Sequence, residues 1–277
     1  MTSECLRILA IGAHPVDCDL KVGGMALMYA QRGHKVKFVS TTNGDTGHYD
    51  MGGGPLARRR YEEAQRAAEV AGIEYEILDI HNGQLLPTLE NRWRLVRLIR
   101  NFEPDLILTH RHNDYHPDHR YTAQLVHDAA YTVTIPNVEA LTPHLRYNPV
   151  AAYVSDHFQK PYPFAPDVAV GIDEVLEKKL DMVHCFESEM YEWLPYNLGI
   201  QDQVPDGPEA RRAWLREWWT FTYAEMETAD QYRDLLKDLY GEKRGAEFQY
   251  AEALEVCEYG APLTPENLRI LFPFFDE

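Results

Sequence analysis

Residues 6–17 of the chain read LRILAIGAHPVD, and this stretch predicts the fold. The short apolar run over residues 6–11 ends at Gly12, which is typical of a buried strand. Residues 20–33 then place apolar residues at helical spacing and stop at Gly33, a common residue at helix ends. A buried strand that leads directly into a helix indicates the start of a β-α-β unit.

The same alternation continues as far as residue 131. Apolar, β-branched runs predict further strands, and apolar residues at helical spacing predict further helices. The predicted strands span residues 35–42, 74–79 and 105–109, and the predicted helices span residues 55–72, 88–102 and 117–131. Strands that alternate with helices imply right-handed crossovers and mostly parallel pairing. We therefore predict an α/β fold, a Rossmann-like three-layer sandwich with a mainly parallel central sheet.

The second half of the chain is less regular. From about residue 205 the pattern is helical and acidic, and no linker or internal repeat marks a clear boundary. We predict that residues 1–204 form the α/β domain. Residues 205–277 are predicted to form a mainly helical C-terminal extension packed on this core.

The composition argues against several classes of partner. The chain of 277 residues carries a net charge of -17, whereas nucleic acids and anionic membranes call for clustered lysine and arginine. No stretch approaches the roughly 18 consecutive apolar residues of a membrane span. The first residues lack the basic start and apolar run of a secretory signal peptide, and the four cysteines show no CxxC spacing. We expect a cytoplasmic protein that binds neither nucleic acid nor membranes.

Two histidine-containing segments stand out. Residues 13–17 read AHPVD and residues 113–119 read NDYHPDH, and each segment follows the end of a predicted strand. Ligands of open α/β sheets bind beyond the carboxyl ends of the strands, so both segments can contribute to one site. Catalytic zinc takes about three ligands from histidine, carboxylate or cysteine side chains and keeps one position open for water. We predict that Zn²⁺ is held by His14, Asp17 and His119.

These two motifs, in this order, resemble those of the PIG-L/LmbE-like deacetylases. The resemblance extends over residues 6–200 and includes the glycine-rich loop after the second strand and the arginine-rich start of the next helix. Members of this family are zinc-dependent enzymes that remove acetyl groups from N-acetylglucosaminyl compounds. The resemblance implies an LmbE-like fold, a Zn²⁺ cofactor and a small N-acetylated amino sugar as substrate, and it permits a homo-oligomer.

The resemblance also implies roles for individual residues. The metal ligands of the family fall on the residues already singled out, His14, Asp17 and His119. His116 corresponds to the histidine that stabilises the oxyanion or protonates the leaving amine, and Asp118 to the carboxylate that orients a neighbouring histidine. The implied substrate contacts are Arg59 or Arg60 at the start of the second helix, and Asp45 and His48 in the glycine-rich loop.

One position departs from the family pattern. The first motif of the family contains two adjacent aspartates, and the first of them, the general base, is replaced here by Val16. A positioned general base typically contributes about 10²–10⁴-fold to the rate, so we expect slow turnover. Three explanations are compatible with the sequence: a natural pseudoenzyme, an engineered or incidental variant, or an enzyme whose base comes from elsewhere. The candidates for another base are Asp19, Asp45, Asp114 and His116.

The leading functional prediction is a zinc-dependent hydrolase that removes the N-acetyl group from an N-acetylglucosamine-like sugar or its conjugate. The alternative from another class is a non-catalytic, zinc-dependent sugar-binding protein. A third hypothesis is an amidase for a different acyl substrate. Binding without turnover would indicate the second, and activity on non-sugar amides would indicate the third.

Overall fold

A computed structural model describes residues 5–222 and 228–275 of the chain. Its strands are β1 (Arg7–Gly12), β2 (Lys35–Ser40), β3 (Glu74–Ile77), β4 (Leu106–Thr109), β5 (Val150–Val154), β6 (Val168–Gly171) and β7 (Ala251–Val256). Within these residues, the strands form a single seven-stranded sheet in the order β3-β2-β1-β4-β5-β7-β6. Strands β1 to β5 pair in parallel, whereas β7 is antiparallel to both of its neighbours. The sheet is therefore mainly parallel, as predicted.

Helices cover both faces of this sheet. The helices are α1 (Asp17–Gln31), α2 (Gly54–Ala71), α3 (Leu89–Phe102), α4 (Pro117–Thr132), α5 (Leu176–His184), α6 (Leu194–Leu198), α7 (Pro208–Thr222), α8 (Arg233–Tyr240), α9 (Glu242–Glu247) and α10 (Pro265–Leu271). Short 3₁₀ turns occur at Asp173–Val175, Gln201–Gln203 and Ala229–Tyr232, and a π-helical turn at Ser188–Trp193. None of the helices in the described part of the chain combines the length and apolarity needed to cross a membrane.

The side chains of β1 show how the sheet divides the core. Successive residues of a strand point to opposite faces of the sheet. Ile8 and Ala10 pack in the cluster that includes residues of α1, α2 and α5, and Leu9 and Ile11 pack in the cluster that includes residues of α3 and α4. Both faces of the strand are thus buried under helices. The predicted three-layer α/β sandwich is confirmed.

The order of the strands creates the crevice in which the site lies. The chain runs from β1 to β2 and β3 in one direction, and then returns to the other side of β1 to form β4. Such a reversal opens a crevice at the carboxyl ends of the two strands that flank it. Helix α4 begins next to this crevice with Pro117 in its first turn, and the side chain of His116 caps it by accepting the N–H of Asp118.

Strand β7 ties the late part of the chain into the core. The carboxylate of Glu252 in β7 accepts the N–H groups of Gly24 and Met25, each at 2.7 Å, and pairs with Nζ of Lys179 at 2.7 Å. Helix α1 is interrupted at Val22, and Glu252 binds the N–H groups just after this kink. The segment after residue 204 therefore contributes a strand to the sheet in addition to helices.

The boundary at residue 204 stays a prediction, and residues 223–227, 276 and 277 lie outside the described residues.

Candidate metal centre and cavity

The three predicted metal ligands lie together between the ends of β1 and β4. His14 and His119 are 105 residues apart, yet Nδ1 of His14 lies 3.1 Å from Nε2 of His119. Oδ2 of Asp17, the first residue of α1, lies 3.5 Å from Nδ1 of His14 and 3.4 Å from Nε2 of His119. A tetrahedral zinc ion with bonds of about 2.0–2.1 Å needs ligand atoms about 3.3–3.4 Å apart. The three atoms therefore fit one tetrahedral ion.

Two carboxylates hold the imidazole rings in the orientation that this fit requires. Nε2 of His14 contacts Oδ2 of Asp118 at 3.1 Å, and Nδ1 of His119 contacts Oδ2 of Asp114 at 2.8 Å. When each of these nitrogens carries the proton and donates it, the other nitrogen of the ring is free to bind a metal. Asp118 thus orients one histidine. Asp114 orients the second histidine, His119, although the sequence suggested Asp114 only as another general base. The position of Asp114 five residues before His119 is the sequence feature that could have indicated this contact.

Two further histidines complete the cluster. His110 follows β4 directly, and its ring stacks on that of His119 with the centroids 4.1 Å apart. Nε2 of His110 also lies 3.2 Å from Oδ2 of Asp17. The ring of His116 lies 4.5 Å from that of His14. Ligand atoms within 4.8 Å of one another form two groups that share His119, one with His14 and His116 and the other with Asp17 and His110.

The charges of the cluster shift the pKa values of its members. Burial disfavours the charged form of His14, but the carboxylates of Asp17 and Asp118 outweigh burial and raise the pKa of His14 to about 9. Burial also disfavours the Asp17 carboxylate, but the neighbouring His119 and His14 hold its pKa well below the usual range. Burial, together with the charges of His14 and His119, lowers the pKa of His116 to about 4. The two carboxylates thus stabilise positive charge on the His14 ring, and a metal cation at the triangle would take the place of the proton on Nδ1.

Val16 occupies the position where the family pattern has its first aspartate. Its backbone has φ 104 and ψ -25, a region that β-branched residues rarely adopt. Its side chain lies on the cavity wall, is only 3% exposed and packs in the main core cluster. Its N–H donates to the hydroxyl of Tyr75 at 3.2 Å. The isopropyl side chain of Val16 offers no proton acceptor to the cavity.

Two of the four candidates for another base lie away from the cavity. Among the described residues, the wall includes Asp114 and His116 but neither Asp19 nor Asp45. Asp19 is fully buried, and burial raises its pKa to about 8, although the hydroxyl of Tyr75 donates to it at 3.2 Å. The carboxylate of Asp45 contacts Nδ1 of His81 at 2.5 Å and accepts the N–H of Asn82 at 3.1 Å.

The other two candidates face the cavity but already have partners. Nδ1 of His116 accepts the N–H of Asp118 at 3.2 Å, so the neutral ring carries its proton on Nε2 and acts as a donor there. Asp114 contacts His119 and accepts the N–H of His116 at 2.9 Å. The carboxylate of Asp114 keeps unused acceptor capacity because each of its oxygens has two lone pairs.

The residues predicted to contact substrate are partly engaged with other side chains. Arg60 lines the cavity, forms an ion pair with Glu189 and donates to the carbonyl of Gly47. Arg59 binds the carboxylate of Glu192 through two hydrogen bonds of 2.7 and 2.6 Å. Within the described part of the chain, the cavity wall does not include Arg59, Asp45 or His48. Direct contact of these three residues with substrate therefore stays a prediction.

The cavity next to the cluster has a volume of about 520 Å³, within the usual range for small-molecule sites. One wall comes from the π-helical turn Ser188–Trp193 and helix α6, which supply Glu189, Trp193 and Asn197. Single π-helical turns are frequent at functional sites. Sequence reasoning missed this wall, since no local pattern indicates that residues this far along the chain return to the metal cluster.

Comparison with known protein sequences agrees with this geometry. The family model of PIG-L, described as GlcNAc-PI de-N-acetylase, matches residues 9–130. The chain is 31% identical over 211 residues to the diacetylchitobiose deacetylase of Thermococcus kodakarensis, and this match covers 70% of the chain and 76% of that protein. The chain is 24% identical over 196 residues to the 4-oxalmesaconate hydratase of Pseudomonas putida. This match covers 68% of the chain and 76% of that protein.

Solved structures show the same fold. The N,N'-diacetylchitobiose deacetylase from Pyrococcus horikoshii superposes with a TM-score of 0.66 at 23% identity, covering 92% of this chain and 84% of that one. The 4-carboxy-2-hydroxymuconate hydratase from Pseudomonas putida gives a TM-score of 0.66 at 19% identity, covering 94% of this chain and 99% of that one. At these identities the likeness shows the fold, whereas family membership follows from the sequence relatives. The chain belongs to the PIG-L/LmbE-like family of N-acetylglucosaminyl deacetylases.

Proposed function

We propose that this protein is a zinc-dependent hydrolase that removes the N-acetyl group from an N-acetylglucosamine-like amino sugar or its conjugate. The observation that carries the proposal is the triangle of Nδ1 of His14, Oδ2 of Asp17 and Nε2 of His119 on the wall of the cavity. The deacetylase named among the sequence relatives supports the same class of reaction.

The residues around the triangle have distinct roles in this proposal. A zinc ion bound there would activate a water molecule and polarise the amide carbonyl of the substrate. Asp118 and Asp114 orient His14 and His119 for that ion. His116 is neutral near neutral pH and carries its proton on Nε2, so it donates a hydrogen bond to the carbonyl oxygen as negative charge develops there.

The charge balance of the cavity favours a neutral sugar over an acid. Of the cavity's arginines, Arg60 is paired with Glu189, and Arg111 is paired with Asp156 at 3.0 Å and with Glu255 at 3.2 Å. To bind either arginine, a substrate that carries carboxylates, like the one for which the hydratase relative is named, would have to displace one of these pairs. A neutral amide-bearing sugar would leave them intact.

Val16 limits the expected rate and supports a second hypothesis. The general base is missing from its usual position, and Asp114, the candidate carboxylate on the wall, already contacts two partners. A sugar-binding protein without turnover is therefore the alternative, and it would bind N-acetylated sugars in the same cavity. An amidase for another acyl substrate would instead release amine from non-sugar amides.

The test measures amine release from a panel of N-acetylglucosamine derivatives and non-sugar amides, with mass spectrometry of the products. The zinc-loaded protein and its Val16→Asp variant are compared, with His119→Ala as the ligand-deficient control and His144→Ala, outside the cavity wall, as the matched control. We expect the parent chain to release amine slowly. The Val16→Asp variant should release it faster than the parent by about 10²-fold or more. Activity that persists in His119→Ala, with its fold verified by circular dichroism, would contradict the proposed metal site. Sugar binding without release by either parent or Val16→Asp would favour the binding protein.

A further inference from the structure

The segment that connects β5 to β6, residues 155–167, forms one wall of the cavity. All of its residues are described, and none of them belongs to a helix or a strand. Connections of this length without regular structure are uncommon in compact domains, and those that occur are usually functional. Residues 155–158, at the start of the segment, line the cavity. We call residues 155–167 the β5–β6 loop.

An aromatic contact joins the β5–β6 loop to the metal cluster. The ring of Tyr115 lies 6.1 Å from that of Phe158 in the loop. The same ring lies 5.8 Å from that of His116 and 6.3 Å from that of His119. Tyr115 and Phe158 both line the cavity. The position of the loop therefore determines how much space a ligand has next to these two histidines.

The guanidinium of Arg111 anchors the β5–β6 loop at two points. Arg111 directly follows His110 in the chain and is only 1% exposed. Its Nε pairs with Oδ2 of Asp156 at 3.0 Å, near the start of the loop. Its Nη2 donates to the carbonyl of Tyr162 at 3.0 Å, further along the loop. The guanidinium also lies over the rings of Tyr162 and Phe164, 5.0 and 5.7 Å from their centroids.

Two side chains extend this anchor to other parts of the loop. Nη1 of Arg111 donates to Oε2 of Glu255 in β7 at 3.2 Å, and the same oxygen accepts the N–H of Ala165 at 3.0 Å. Nη2 of Arg111 donates to Oδ1 of Asn113 at 3.1 Å, and the side-chain amide of Asn113 donates to the carbonyl of Lys160 at 3.1 Å. Arginine can make such contacts together because its donors lie in one rigid plane, whereas lysine offers a single ammonium group.

We propose that Arg111 is a positioning residue that fixes the β5–β6 loop in the conformation in which the cavity binds its substrate. The inference rests on the proposed function, because the ligand concerned is the N-acetylated sugar in the cavity. Arg111 need not touch this sugar, since Asp156 and Glu255 already balance its charge. It acts instead through His157 and Phe158, which line the cavity. If the loop were not anchored, the ligand would have to order these side chains, and that ordering would lower its affinity.

The test compares Arg111→Lys with the matched control Arg100→Lys. Arg100 is also buried, and it binds carbonyl groups of another connecting segment, within residues 132–142. In the described part of the chain, that segment does not line the cavity. Both variants keep the positive charge and lose the planar set of donors, so both should lower Tm. Asn113→Ala is a milder variant that removes the contact with Lys160 and keeps the test decisive if Arg111→Lys fails to fold.

Hydrogen exchange of the ligand-free protein, followed by mass spectrometry of its peptides, measures how firmly the β5–β6 loop is held. We expect peptides from residues 155–167 to exchange faster than in the parent by about 10-fold or more in Arg111→Lys and by about 3-fold in Asn113→Ala. Arg100→Lys should leave the exchange of this loop at the parent rate. Unchanged exchange of the loop in both Arg111→Lys and Asn113→Ala would overturn the inference.

Titration calorimetry of the zinc-saturated protein with N-acetylglucosamine measures the consequence for binding. We expect Arg111→Lys to raise Kd by about 3- to 10-fold, which is the cost of ordering a side chain of the loop, and Arg100→Lys to leave it near the parent value. An equal rise of Kd in both variants would overturn the inference, because the loss would then reflect general destabilisation. Faster exchange of the loop with an unchanged Kd would overturn it as well.

Failure of the proposed function can be told apart from failure of this inference. If the parent binds no N-acetylated sugar, the proposed function fails, and the exchange comparison alone decides whether Arg111 anchors the loop. Where the Val16→Asp variant turns over, adding Arg111→Lys should raise KM and leave kcat near the value of the single variant. A fall in kcat with an unchanged KM would contradict a positioning role in substrate binding.

Discussion

Nε2 of His14 lies 3.1 Å from Oδ2 of Asp118, and the same carboxylate oxygen accepts the N–H of Gly83 at 2.6 Å. The carboxylate thereby joins His14, a proposed metal ligand, to the loop that follows β3. Since Asp118 is fully buried, its charge depends on these partners. This contact directs Nδ1 of His14 toward Asp17 and His119.

Removing this contact should weaken metal binding while leaving the three ligands in place. Loss of such an outer carboxylate typically lowers metal affinity by about 10- to 100-fold. We therefore expect zinc affinity to fall by about 10-fold in Asp118→Asn and by about 100-fold in Asp118→Ala. Zinc competition against a chromophoric chelator measures the change. Asp128→Asn, in the same helix but paired with Arg92, is the matched control and should bind zinc like the parent. Unchanged affinity in Asp118→Ala would show that His14 does not need this partner.

Gly12 should be intolerant of even a methyl group. A Cβ atom at this position would lie 2.9 Å from Cβ of Asp17 and 3.1 Å from Sγ of Cys18, so Asp17, a proposed metal ligand, would have to shift. We expect Gly12→Ala to lower the free energy of unfolding by about 1–3 kcal/mol and to weaken zinc binding. Gly54→Ala is the control, because nothing lies within 4 Å of its added Cβ. Urea unfolding and zinc titration of both variants test this, and equal behaviour of the two would refute the steric argument.

The contacts of Glu192 with Arg59 and His48 should make stability depend on pH. Burial opposes ionisation of Glu192, but hydrogen bonds from Arg59 and His48 outweigh it and lower the pKa of this carboxyl below its usual value. A depressed folded-state pKa contributes stability above the unfolded-state value and loses it as pH falls through the folded-state value. We therefore expect Glu192→Gln to lower Tm by about 2 °C near neutral pH. The expected effect is small because the side chains of Arg59 and Glu192 are both partly exposed to solvent, which screens their interaction.

The difference in Tm between the parent and Glu192→Gln should shrink as the pH is lowered below about 4. Thermal melts across this range measure it, with Glu62→Gln on the exposed face of α2 as the control. A difference that grows on acidification would contradict the assigned direction of the pKa shift.

The buried pair of Lys179 and Glu252 should show strong non-additivity. Both side chains are almost completely buried, and Glu252 also binds two backbone N–H groups of α1. Removing one partner of such a pair costs about 3–5 kcal/mol because the other charge stays buried. We expect Glu252→Gln and Lys179→Met each to be strongly destabilising in urea unfolding, and the double variant to lose clearly less than their sum. Additive losses would show that the two charges act independently.

The sequence by itself determined the fold class and the edge of the sheet at which the two histidine-containing motifs meet. The apolar runs that predict the first strands and the helical spacing that predicts the first helices arise from local burial, and the structure places β2 at Lys35–Ser40 within the predicted range 35–42. That His14, Asp17 and His119 lie together also follows from the sequence, because parallel strands place their carboxyl ends, and the motifs after them, at one edge of the sheet. The absence of the usual base at Val16 needed no structure either.

Only the tertiary structure decided which side chains surround that triad. The insertion of β7 between β5 and β6, the wall formed by Trp193 and Asn197, and the pairing of Arg59 with Glu192 across 133 residues carry no local signal. Asp114 and Asp118 lie within the second motif, but the histidine that each one contacts depends on how α4 docks against β1. Local periodicity reflects which face of an element is buried, whereas contacts between distant segments depend on the packing of the whole chain, and the fine geometry of the site follows from that packing.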